Sequence, residues 1–125
     1  LEKIAIDLDI GTKSNPKTNG IFSVVNRIAI EELESWFIGD KQAVETAFPG
    51  INSSFFSQPR FKDPDAIKGG TCEAFERLLR RAGYYRAGLA KIDAARKVSE
   101  YMNPLLNKSR SFQCFLEGVQ SILAQ

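Results

Sequence analysis

Apolar residues recur at helical spacing over most of this chain. Phe75, Leu78, Leu79 and Ala82 form one stripe, and spacings of three and four put such side chains on one face of an α-helix. Thr71 reads as its N-cap and Gly83 as its C-terminal stop. Leu89, Ile92, Ala95, Val98 and Met102 predict a further helix that ends near Asn103 and Pro104. Phe112, Phe115, Leu116, Val119, Ile122 and Leu123 predict the last one, starting between Ser109 and Ser111. Earlier in the chain, Ile30, Leu33, Trp36 and Phe37 predict a helix over residues 29–38. Gly39 ends it, and Asp40 caps a short helix through Phe48.

The alternating signal is weaker. Ile21-Phe22-Ser23-Val24-Val25 is rich in residues that favour a pleated surface and predicts a strand. Residues 1–10 fit two templates. Ile4, Ile6, Leu8 and Ile10 alternate as in a strand, whereas Leu1, Ile4, Ala5 and Leu8 make a helical stripe. Residues 50–70 hold Pro59, Pro64, Gly69 and Gly70 but also Ile51, Phe55, Phe56 and Phe61, which predicts a packed loop. About five helices with one or two strands predict a helix-rich α/β fold. A lone strand cannot satisfy its own backbone groups. Its neighbours are expected from sequence outside this chain or from another chain, so residues 1–125 read as a single partial domain.

Charge adds an asymmetry. The net charge of +2 divides unevenly. Residues 1–56 carry five Lys and Arg against eight Asp and Glu, and residues 57–110 carry twelve against six. A basic middle suits a phosphate-bearing partner such as nucleic acid. Cys72 and Cys114 are isolated, which fits a reducing, cytoplasmic setting. The chain has no histidine, which excludes Ser-His and Cys-His nucleophile pairs within it. No apolar run is long enough for a membrane span.

Carboxylates are the remaining chemistry. Glu31, Glu32 and Glu34 crowd one segment. Acids on a rigid element suit a hard cation such as Mg²⁺, and they equally suit the positive end of a helix. Asp7 and Asp9 would share a face on a strand but would be plain surface on a helix. Arg60-Phe61-Lys62 and Lys68-Gly69-Gly70-Thr71 make a basic loop that either holds a phosphate or caps a helix. Arg77, Arg80, Arg81, Arg86, Lys91, Arg96 and Lys97 make a basic band. Tyr84 and Tyr85 lie within it, placed to stack on bases, and the competing reading is a solvated face. Lys108 and Arg110, within Asn107-Lys108-Ser109-Arg110-Ser111, either meet a phosphate or flank a cap.

Four ordered blocks carry a resemblance. They are Val24-Val25-Asn26-Arg27-Ile28-Ala29-Ile30-Glu31-Glu32-Leu33-Glu34-Ser35-Trp36-Phe37-Ile38-Gly39-Asp40, Phe61-Lys62-Asp63-Pro64-Asp65-Ala66-Ile67-Lys68-Gly69-Gly70-Thr71, Gly83-Tyr84-Tyr85-Arg86-Ala87-Gly88-Leu89-Ala90-Lys91 and Asn107-Lys108-Ser109-Arg110-Ser111-Phe112. Between about residues 20 and 118 the chain resembles the bacterial family filed as domain of unknown function 4276. Members look like Toprim-type domains, the α/β fold of topoisomerases, primases and overcoming-lysogenisation-type nucleases. Some relatives sit beside ABC-type ATPases in phage-defence systems.

The resemblance implies the helix-rich C-terminal part of a Toprim-like domain, with the principal metal carboxylates upstream. Asp7 and Asp9 then only imitate the metal pair. Glu31 and Glu34 match the family's acidic segment and are expected to complete or orient a Mg²⁺ site. Arg60, Lys68, Lys91 and Arg110 match positions suited to phosphates. The expectation is a fragment of a Mg²⁺-dependent nuclease acting on nucleic acid in phage defence, inactive by itself. The alternative is a non-catalytic module that docks on an ABC-type ATPase or on its own copy.

Overall fold

The computed structural model describes residues 1–125 and is all-α. Its helices are α1 (Glu2–Asp7), α2 (Glu34–Ile38), α3 (Lys41–Ala47), α4 (Thr71–Arg81), α5 (Lys91–Ser99) and α6 (Arg110–Leu123). Three 3₁₀ turns, Ser53–Ser57, Pro59–Phe61 and Pro64–Ala66, lie between α3 and α4. The expected α/β fold with one or two strands is therefore wrong. Residues 1–10 take the helical option. Residues 21–25 form no strand and contribute only one isolated parallel bridge, between Thr12 and Val24. The N–H groups of Ser23 and Val24 both turn to the Gly11 carbonyl, at 2.9 and 3.2 Å. β-Branched residues favour a strand through neighbours on a sheet, and here no second strand lies alongside. Gly11 permits this approach, because a Cβ there would stand 2.9 Å from the Ile21 carbonyl oxygen.

Two compact units divide the chain. The larger comprises Ala29–Gln113. Its core joins Phe37 and Ile38 of α2, Val44 of α3, Phe75 and Leu79 of α4 and Val98 of α5, with Phe48, Phe55, Phe61 and Ile67 from the connections. Phe55 and Phe61 bury their rings 4.7 Å apart, so residues 50–70 are packed rather than slack. Asp40 accepts the Ala43 N–H at 3.1 Å and starts α3.

Three helix expectations shift in detail. The acidic helix begins at Glu34 rather than near residue 29, because Glu31 holds a left-handed backbone (φ 64°). Gly70, with φ 90°, occupies the N-cap of α4, and Thr71 is already helical. α5 buries Ala94 and Val98, while Ile92 is 72% exposed. That helix starts only at Lys91, so Leu89 reaches the core from the preceding turn and the buried face rotates.

The smaller unit comprises Leu1–Ile28 and Cys114–Gln125. Polar bonds hold it. Glu2 accepts from the Thr12 hydroxyl at 2.5 Å and from the Asn26 amide at 2.7 Å. These bonds pull the Glu2 carboxyl below its ordinary range. Arg27 donates to the Cys114 carbonyl at 2.8 Å. Ala5 is the one apolar side chain buried in this unit. The stripe Leu1, Ile4 and Leu8 stays 58–74% exposed.

Candidate functional site

Glu34 is the first residue of α2, and its side chain is turned inward, with the residue 5% exposed. Glu32 precedes it and directs Oε2 to the Cys72 backbone N–H at 2.8 Å. That bond places a carboxylate on the N-terminal turn of α4, where free N–H groups and the helix dipole favour negative charge. Lys91, opening α5, brings Nζ to 3.5 Å from Glu34 Oε1. Cys72 and Glu34 beside Lys91 raise the lysine above its ordinary pKa. Burial pushes the Cys72 thiol up, against the lowering effect of Lys91. Oxygens of Glu32 and Glu34 and the sulfur of Cys72 lie within 4.8 Å of one another.

This set is a poor match for Mg²⁺. The two carboxylates suit a hard cation. A protonated thiol does not, since Mg²⁺ takes oxygen ligands in octahedral geometry. Lys91 already supplies the positive charge that Glu34 faces.

A second polar centre lies in the same unit. Asp65 is buried and accepts from the Ser109 hydroxyl at 2.7 Å, the Ser111 N–H at 2.8 Å and the Ser111 hydroxyl at 3.0 Å. Burial raises the Asp65 carboxyl, but these bonds, with one from Ser35, outweigh it and leave the group below its ordinary range. Ser109 accepts the Phe112 N–H at 3.1 Å, and Trp36 donates its indole N–H to Ser111 Oγ at 2.8 Å. The serines of Asn107-Lys108-Ser109-Arg110-Ser111 thus start α6. The capping reading of that motif is met by its serines, while Lys108 and Arg110 stay exposed.

The expected site residues separate. Glu31 is exposed and lies outside the carboxylate–thiol cluster, whereas Glu34 is inside it. Lys91 faces Glu34. Arg60 and Lys68 line one depression together with Lys62. Arg110 is exposed at the start of α6. In the basic band, Arg80 pairs with Glu76 at 2.5 Å and Lys97 with Asp93 at 3.0 Å. Tyr84 donates to the Pro49 carbonyl, Tyr85 donates to Asp93, and both rings pack edge-on against Phe48. Those rings are part of the packing of the fold. Asp9 pairs with Lys17 at 2.8 Å, while Asp7 ends α1. Sequence spacing did not join Cys72 or Lys91 to Glu32 and Glu34, because 38 to 59 positions separate them.

Fold and site together define an all-α protein in which a buried carboxylate, Glu34, meets a half-buried thiol and an exposed ammonium. The chain belongs to the family described as domain of unknown function (DUF4276), whose profile matches residues 2–120. No curated protein and no solved structure matches it. No helix is long and apolar enough to cross a membrane.

Proposed function

We propose that the protein is a docking module of a larger cytoplasmic assembly, its smaller unit completed by the apolar surface of a partner protein. One observation carries this reading. Leu1–Ile28 and Cys114–Gln125 bury a single apolar side chain, Ala5, while Leu1, Ile4, Ile6, Leu8, Ile21 and Leu123 are 52–80% exposed. A unit of that size lacks the buried area for independent stability, and the exposed stripe Leu1, Ile4 and Leu8 marks an interaction surface. Its charges balance, with Glu2, Asp7, Asp9 and Glu117 against Lys3, Lys13, Lys17 and Arg27. Apolar contact rather than attraction to a polyanion is then the driving term. Free Cys72 and Cys114 agree with a reducing compartment. An ABC-type ATPase and a second copy of the chain both meet the requirement.

The test is Ile4→Glu/Leu8→Glu, compared with wild type by sedimentation alone and by co-expression with an ABC-type ATPase. A stoichiometric complex or dimer that the double variant loses, at unchanged helical circular dichroism, is expected. A monomer that forms neither complex overturns the reading.

The approach of Glu32 to Glu34 favours a second reading, a share in a metal-dependent nuclease. The thiol and ammonium beside them mean that other carboxylates must supply the metal centre. Glu34→Gln in the assembled complex tests it. Unchanged cleavage and metal affinity in a folded variant remove Glu34 from that role.

A further inference from the structure

Residues 59–68 fold into two consecutive 3₁₀ turns, each opened by a proline, Pro59 and Pro64. Phe61, Asp65 and Ile67 anchor the segment by burial, at 7%, 8% and 2% exposure. Its outer side is a depression of 590 Å³ lined by Pro59, Arg60, Lys62, Asp63, Ala66 and Lys68. Three cations therefore meet one acid.

The acids of this loop are committed elsewhere. Asp63 accepts the Asp65 N–H at 3.0 Å, and Asp65 is turned to Ser109 and Ser111. No carboxylate pairs with Arg60, Lys62 or Lys68, as is also true of Arg77, Arg81, Arg86, Arg96 and Lys108, but here three such cations line one depression. Arg60 is also held in place. Its guanidinium lies 4.8 Å from the Phe61 ring centre and 5.2 Å from that of Phe55. Its Nε is buried with no hydrogen-bond partner, a donor left unsatisfied. Ordering a cation beforehand removes part of the entropy cost of binding an anion.

We propose that this depression binds the phosphate backbone of a nucleic acid, with Arg60, Lys62 and Lys68 as the contacts. Spaced, unpaired cations on a rigid open surface match a chain of phosphates better than one buried anion. The loop presents no helix or ribbon able to enter a duplex groove and no exposed ring to stack on a base, so its contacts are to phosphates rather than to bases. This site lies wholly in Ala29–Gln113 and is independent of the docking proposed for the smaller unit.

The probe is a fluorescently labelled single-stranded oligonucleotide, read by anisotropy across a salt series. Wild type is expected to bind at low ionic strength. Lys62→Gln/Lys68→Gln is expected to weaken binding and to flatten the slope of log affinity against log salt by about 1.4, roughly 0.7 per phosphate contact. Lys41→Gln, an exposed change elsewhere in the unit, leaves the slope unaltered. Both lysines are exposed, so the double variant folds even where Arg60→Ala disturbs the Phe55–Phe61 packing. Absence of binding by folded wild type overturns the proposal, as does an unchanged slope in the double variant. Displacement by inorganic phosphate as effective, per phosphate, as that by unlabelled strand overturns it too, since that marks a single-anion pocket.

Discussion

Asp65 accepts the backbone N–H of Ser111 at 2.8 Å, so the last helix starts on a carboxylate supplied forty-six positions earlier. The same carboxylate binds both serine hydroxyls. It therefore ties the 3₁₀ turn Pro64–Ala66 to the first turn of α6.

Asp65→Ala removes the acceptor of the Ser111 N–H and of both serine hydroxyls at a buried position, leaving the N–H unpaired and the hydroxyls only each other. A loss of roughly 2–4 kcal/mol in urea-unfolding stability is expected. The pH dependence has a definite sign. The folded-state pKa is depressed, so the Asp65 contribution is present above the ordinary carboxylate range and is lost as pH falls through the folded value. Wild type should lose stability more steeply than Asp65→Asn between about pH 4 and pH 2, read by urea midpoints.

Gly39 faces Asn107. A Cβ at residue 39 would overlap the Asn107 amide oxygen and stand 3.0 Å from the Ser109 nitrogen. Asn107 cannot swing aside freely, because it donates to the Trp36 carbonyl at 2.7 Å and accepts the Ser109 N–H at 2.9 Å. Gly39→Ala should cost about 1–3 kcal/mol, seen as a lower melting temperature. Its φ of −61° is ordinary, so the penalty comes from contact rather than from backbone conformation.

Thr71 is fully buried, and its hydroxyl has no hydrogen-bond partner. Thr71→Val keeps the shape and removes the unsatisfied group. Stability should rise by roughly 1 kcal/mol, measured by denaturant midpoint. A fall would show that the hydroxyl has a partner in solution.

Cys72 is held toward the protonated thiol by burial. Only the thiolate alkylates efficiently. Iodoacetamide should therefore modify Cys72 more slowly than free cysteine near pH 8, and the gap should close as pH rises. Peptide mass spectrometry of timed samples reads both effects.

Much of the helical inventory was legible from local chemistry. Phe75, Leu78 and Leu79 share a face because helix geometry puts them there, and Asp40 caps α3 through a bond spanning three residues. The membership in its family was legible too, since four ordered blocks carry that resemblance. The supposed strand at residues 21–25 failed for a non-local reason. β-Branched residues mark a willingness to pair, and pairing needs a neighbour that residue order alone does not supply. The helical register expected between Glu31 and Glu34 is broken likewise, because Glu31 takes a left-handed φ ahead of the helix.

Local order thus settled which segments coil, where α3 begins and which acids exist to be used. Only the folded chain brought Glu34, Cys72 and Lys91 together, turned Asp65 inward and left Arg60, Lys62 and Lys68 without counter-ions. The physical reason is range. Capping and helical periodicity act across three or four residues. Charge pairing and burial act through space between segments tens of residues apart, and their outcome is known only once the helices have packed.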